Sequence, residues 1–277
     1  MEPTSHTSTA RAIAPTLQST ARSTAHRLLA GAGLAHVVAY DHDPNHSCST
    51  LTHGQSRFGD LMVAGVPHPS DPLAQQSDSS IRVRLDIVKE APEFRVRVTA
   101  STLHALGSLR WLSPSVAQRY LDDGRLDAAL AESTGGDGAM LGIIDVAQVH
   151  LHHASGTTTI HADALGEGPS SSLFPFPGDD WAARDLLCAV TDDDPSVLLR
   201  HPGTITMSSR ERSSCSAVAG HCYCVDVDRF GITLMNITER SATVSFVPLP
   251  APVSNLGELA AGLDQLVRIA RLQSARA

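Results

Sequence analysis

The stretch IRVRLDIVKEAPEFRVRVTA, residues 81–100, alternates apolar and polar side chains for nearly its whole length. A period of two is the mark of a β-strand with one buried face and one wet face. A turn at Ala91-Pro92 would fold the stretch into two paired strands. Val83, Leu85, Ile87, Phe94, Val96 and Val98 then share one face. Arg82, Arg84, Asp86, Arg95 and Arg97 share the other, with Asp86 opposite Arg97. Such a hairpin curls readily into a barrel wall, apolar inside and charged outside.

A second alternating stretch, VHLHHASGTTTIH (149–161), holds four of the chain's fourteen histidines. A two-residue turn at Ser155-Gly156 pairs His150 with His161 and His152 with Thr159. Those four side chains share one face, and Val149, Leu151 and Ile160 share the other. The core takes the apolar face, which puts the histidines on the wet side. LAHVVAY (34–40), FGDLMVAGVP (58–67) and LHALGSLRWL (103–112) read as further strands. A helix is expected over 15–31, opened by Pro15 and stopped by Gly31 and Gly33. Ser113 and Pro114 open a helical stretch that Gly124 divides. GEGPSSSLFPFPG (166–178) has the small-residue and proline bias of a linker. After it come a short helix in DDWAARDLLCAV and strands in CYCVDVDRFGITLMN and SATVSFVPLP. The last helix is capped by Asn255, with Glu258 three residues on and a stripe of Leu256, Leu259, Leu263, Leu266, Val267 and Ala270.

Composition narrows the function classes. A formal charge of −8 argues against a general nucleic-acid binder, which needs a basic surface for phosphate. With 4% aromatic residues the core must be aliphatic. No run of eighteen apolar residues exists to span a membrane. Five cysteines without framework spacing fit a reducing, cytoplasmic setting. Cys222 and Cys224 fall on one strand face and read as free thiols. Asp192-Asp193-Asp194 before Pro195 reads as a solvated turn. No Ser-His-Asp signature, phosphate loop or zinc-protease helix is present.

The order of elements, together with VDVDRFGITLMN and SATVSFVPLPAPVSNLGELAAGLDQLVRIAR, resembles HugZ-type haem-utilisation proteins. These are FMN-binding split barrels, related to pyridoxamine-phosphate oxidase, followed by a C-terminal domain of unknown function. The family's Asp-Arg-aromatic-Gly turn, Phe-x-x-Pro-type exit and Ala-Arg helix end correspond to Asp228, Arg229, Phe230, Gly231, Phe246, Pro248, Ala270 and Arg271. MLGIIDVAQVHLHHASGTTTIHADAL looks like the family's last barrel hairpin. The resemblance implies an α+β fold: an antiparallel split β-barrel followed by a smaller α/β C-terminal domain. The expected organisation is a disordered arm over 1–14, the barrel over 15–165, a linker over 166–178 and the C-terminal domain over 179–277.

The resemblance also implies FMN or haem as cofactor, a homodimer, and a tetrapyrrole or a protein as partner. If the chain is an enzyme, it would be a flavin-dependent oxidoreductase or a haem-degrading oxygenase. The alternative is a non-enzymatic binding or regulatory dimer that keeps the fold without cofactor. The family's phosphate-binding segment finds its nearest match in SCSTLTHGQS (47–56), with Ser49, Thr52 and His53. The histidine-bearing helix that opens the family's second domain corresponds to DLLCAVTDDDPSVL, which has no histidine. Arg82, Arg84, Arg95 and Arg97 form the expected anion site, able to meet phosphate or propionate bidentately. If iron or haem is held, His150, His152 and His161 are the candidate imidazole donors.

Overall fold

The computed structural model describes residues 6–39, 51–74, 80–161, 165, 173–211 and 217–275. Two antiparallel sheets and five helices organise them. The larger sheet is a curled half-barrel with strand order β1 (Leu34–Val38), β4 (Ile81–Glu90), β5 (Thr99–Trp111), β6 (Met140–His153), β3 (Leu61–Gly65) and β2 (Thr52–Gln55). A seventh strand, β7 (Gly156–His161), also pairs with β6. The smaller sheet runs β8 (Ile205–Glu211), β11 (Ser241–Pro248), β10 (Gly231–Ile237), β9 (His221–Asp228). Helix α1 (His6–Leu29) precedes the half-barrel; α2 (Pro114–Asp122) and α3 (Ala128–Thr134) join β5 to β6. Helices α4 (Asp180–Val190) and α5 (Leu256–Ser274) belong with the smaller sheet.

Alternation predicts the faces of β4 correctly. Val83, Leu85 and Ile87 are fully buried in a cluster with Leu103, Ala105, Val149 and Leu151. Burying each such aliphatic side chain stabilises the fold by about 1.5–3 kcal/mol. The chain turns at Ala91-Pro92, where the Glu93 N–H donates to the Ala91 carbonyl at 2.8 Å, but residues 94–98 do not pair back onto β4 as expected. β4 ends at Glu90, β5 begins at Thr99, and Asp86 lies opposite His104 rather than Arg97. Residues 91–98 are drawn off toward the smaller sheet instead. The Glu93 carboxylate accepts the Cys224 backbone N–H at 2.8 Å and pairs with Arg184 at 3.3 Å. Phe94, expected in the core, is 77% exposed and stacks on Trp181 at 4.2 Å between ring centroids. Helix α1 also differs from expectation: it begins at His6, not at Pro15. Pro15 lacks the N–H its position would donate, and the flanking residues continue the helix past it.

The histidine hairpin turns at Ala154-Ser155, one residue earlier than expected, because His153 pairs with Gly156. His150 therefore faces Thr159, and His161 faces Gln148. Each residue's partner moves by two, which preserves the faces. Val149, Leu151 and Ile160 are buried, while His152 and His161 are exposed and His150 is half-buried.

The last helix forms as its sequence predicts. Asn255 accepts the Glu258 N–H at 2.9 Å, and Glu258 accepts the Ser254 N–H at 2.8 Å. Leu259, Leu263, Leu266, Val267 and Ala270 are buried, and only Leu256 of the stripe is exposed. Gly231 closes the β9–β10 turn, where a Cβ would lie 2.4 Å from the Phe246 ring. Packing requires the glycine there.

Charge joins the two sheets. Arg27 on α1 and Lys89 on β4 are buried and meet Asp226 of β9, each at 2.5 Å. Lys89 also reaches Asp180 of α4 at 2.7 Å, and Arg27 lies 3.5 Å from Asp228. Burial pushes the Asp226 carboxyl up, but Arg27 and Lys89 outweigh it and hold the group at about 2. At Asp228 burial wins over the more distant Arg27, and its carboxyl is pushed up to about 6. Cys188 and Cys224 are buried free thiols and Cys222 is a half-buried one. Burial pushes Cys222 up to about 12 and also raises the Cys224 thiol well above its ordinary value. Cys48 and Cys215 lie outside the described residues.

Candidate functional site

β6 is longer than its neighbours and is shared along one edge. β3 pairs with its first part, through Ile143, and β7 pairs with its last part, from Gln148 onward. Between them residues 144–147 have no strand on that edge among the described residues. β5 runs along the other edge with a bulge between Leu106 and Gly107. Gly107 permits that bulge, since a Cβ would sit 2.3 Å from the Asp145 carbonyl oxygen. A cavity of about 1760 Å³ opens at this split.

Its walls come from four places. Ile144 and Val149 of β6 and Leu51 and Leu61 around β2 and β3 are buried and apolar. The end of α1 contributes His26, Leu29 and Gly31. Gly31 and Gly33 take positive φ angles and turn the chain from α1 into β1. Phe176 and Pro177 close another side. The fourth wall is the tight β2–β3 turn. Ser56 Oγ accepts the N–H groups of Phe58 and Asp60 and donates to the Asp60 carboxylate at 2.9 Å. Arg57 and Phe58 are left projecting at its tip. The Arg57 N–H donates to the Arg125 carbonyl at 2.9 Å, and the Arg125 guanidinium lies over the Phe58 ring.

The rim is unusual for a protein surface. Leu34, Phe58 and Phe176 are 65%, 70% and 46% exposed, and all three line the cavity. Single exposed apolar groups are ordinary, but three converging on one opening mark a binding surface. Two guanidiniums, Arg57 and Arg110, line the same opening, both exposed, with no carboxylate partner among the described residues. The lining carboxylates are Asp60, Asp127 and Asp145. Asp60 is engaged by Ser56, and Asp127 caps α3 by accepting the Leu130 N–H at 2.8 Å.

Of the residues singled out from sequence, Thr52 and His53 line this cavity. Both are already engaged. Thr52 Oγ1 lies 2.5 Å from Ser133 Oγ, and His53 Nε2 donates to the Leu28 carbonyl at 2.7 Å. Burial lowers the His53 imidazole below its ordinary value, the Leu28 carbonyl opposing only in part. Ser49 lies outside the described residues. The four hairpin arginines do not converge. Arg82 and Arg84 project from the outer face of β4, and Arg84 pairs with Asp86 at 2.9 Å. Arg95 and Arg97 lie beyond the end of that strand, where Arg97 pairs with Glu90. Glu90 lies eight residue steps along the strand from Arg82, roughly 26 Å, too far for one small ligand to bridge. None of the four lines the cavity.

His150, His152 and His161 also lie away from it, on the outer face. His150 Nδ1 is 3.0 Å from Thr159 Oγ1, and His152 Nδ1 is 3.1 Å from Thr157 Oγ1. His104 joins them through an edge-to-face contact with His152 and donates from Nδ1 to Asp86 at 2.6 Å. Among the described residues no group of three or more His, Cys, Asp or Glu side chains is placed to hold a metal ion.

Sequence reasoning missed His26, Arg57, Phe58, Arg110 and Phe176. The turn signal Ser-Arg-Phe-Gly-Asp (56–60) could have exposed Phe58, because Gly59 at φ 89° interrupts the strand expected over 58–67. The other residues carry no local signal.

No protein-family model matches the chain, and no curated protein matches it. Solved structures do. A structure described as a heme binding protein from Mycobacterium smegmatis is 18% identical, with TM-score 0.53, covering 91% of this chain and 98% of that one. A protein of unknown function from Agrobacterium tumefaciens is 12% identical, with TM-score 0.38, covering 89% and 95%. The first likeness shows the fold, a curled antiparallel half-barrel with a second sheet and a C-terminal helix.

Proposed function

We propose that the cavity at the split of β6 binds haem or a closely related tetrapyrrole, a large flat apolar ring with acidic side groups. One observation carries this: Leu34, Phe58 and Phe176 expose apolar surface at the same opening where Arg57 and Arg110 place positive charge that has no carboxylate partner among the described residues. The apolar groups would lie against the ring faces. The guanidiniums would donate to the propionates in bidentate pairs, a geometry that lysine cannot supply. The haem-binding neighbour of the same fold supports choosing a tetrapyrrole among large anionic ligands. When bound, haem iron supplies coordination positions for a protein ligand and for a small molecule.

FMN has weaker support here, because Thr52 and His53, the expected phosphate contacts, are already hydrogen-bonded within the fold. We keep the division into a barrel unit through residue 165 and a C-terminal unit from 179, and a homodimer formed through the half-barrel. A cytoplasmic, reducing setting fits the free thiols at Cys188, Cys222 and Cys224.

Titration of hemin into the purified chain tests the proposal. Saturable binding with a Soret band is expected, and Arg57→Ala and Arg110→Ala should each weaken it about ten-fold, the lower end for losing a hydrogen bond to a charged group. Unchanged affinity in both variants would place the ligand elsewhere.

A further inference from the structure

We propose that His26 is the protein's ligand to the tetrapyrrole iron. This rests on the cavity being the tetrapyrrole site, and it adds which atom of the chain meets the metal. The candidates are few. Among the described residues that line the cavity, the only nitrogen or sulfur donors suited to haem iron are His26 and His53; no Cys, Met or Tyr is among them. His53 is 4% exposed, and its Nε2 is committed to the Leu28 carbonyl. His26 is half-buried in the last turn of α1, and its ring has no hydrogen-bond partner among the described residues.

Its neighbours in the helix fix it from both sides. Arg27, the next residue, is locked into the Asp226 carboxylate at 2.5 Å, and its Nη1 donates to the Val227 carbonyl at 3.1 Å. Leu28, one further, is tied to His53. The turn carrying His26 is therefore held by the buried ion cluster on one side and by β2 on the other. Successive helix residues point about 100° apart, which sends His26 into the cavity when Arg27 faces the smaller sheet.

Hemin titrations of the full chain, His26→Ala, His26→Met and His150→Ala/His161→Ala test this. The wild type and the His150→Ala/His161→Ala variant should share one Soret position, that of nitrogen-ligated haem. His26→Ala should take up hemin with a displaced Soret band and at least ten-fold weaker affinity. Added free imidazole should restore the wild-type band, which a merely structural role for His26 would not allow. His26→Met should give a spectrum different from both. A wild-type spectrum in hemin-loaded His26→Ala or His26→Met would overturn the assignment and leave the cavity as the binding site. Loss of the band in His150→Ala/His161→Ala alone would overturn it in favour of the outer histidine face. Absence of saturable hemin binding by the wild type would overturn both the assignment and the function it rests on.

Discussion

Lys89 is the chain's only lysine, and it sits where strand alternation calls for an apolar side chain. Its burial is tolerated because Asp226 and Asp180 accept it. A buried pair broken on one side leaves an uncompensated charge, and that cost exceeds anything the intact pair adds to stability. Lys89→Met should therefore destabilise the fold by about 3 kcal/mol, measured as a fall in the urea midpoint at constant slope. Asp228 behaves in the opposite sense. Folding raises its carboxyl to about 6, so the fold favours the protonated form. Its contribution to stability is complete below about pH 4 and is lost as pH rises through 6. Asp228→Asn should remove that slope and gain on the order of 2 kcal/mol near pH 8, by denaturant titration across pH. Asp226, held at about 2, contributes above about pH 4 and loses that contribution as pH falls toward 2. A variant that kept the wild-type slope between pH 4 and 6 would show that another group titrates there.

At the level of elements, what the sequence makes legible is what depends on local period. The faces of β4 and of the histidine hairpin follow from alternation, and they survive a misplaced turn because the register moves by two. The cap of α5 follows from Asn255 and Glu258 alone. The connection 91–98 was not legible, because its alternation is as regular as a strand's. Contacts with the second sheet and its helix hold it out of the larger sheet, among them Glu93 with the Cys224 N–H, a partner 131 residues away. Glu93→Ala should leave that N–H without its partner and cost about 1–3 kcal/mol. The native-state rate of Cys224 alkylation should rise with it, since the connection no longer covers that end of β9. Thermal melting and timed thiol labelling read the two effects. An unchanged labelling rate would mean that residues 91–98 are held by Phe94 and Trp181 alone.

For the whole molecule, the candidate site arises from topology. Nothing in the local sequence of β6 announces that β3 and β7 will share one of its edges and leave residues 144–147 between them. His26, Arg57, Arg110 and Phe176 come from segments far apart in the chain and meet only because the half-barrel brings them to one opening. The histidine-rich hairpin, conspicuous in the sequence, is instead the outer side of the sheet, with His150 and His152 bonded to threonines across the turn. We expect the protein to be a dimer, and light scattering at micromolar concentration should give twice the chain mass of 29.2 kDa. A monomeric mass would count against an interface through the half-barrel. The location of the iron tests the account most directly. Crystals grown with hemin should show one anomalous iron peak per chain inside the cavity, between the last turn of α1 and the Arg57-Phe58 turn. An iron peak on the His150, His152 and His161 face, or none at all under saturating hemin, would contradict it.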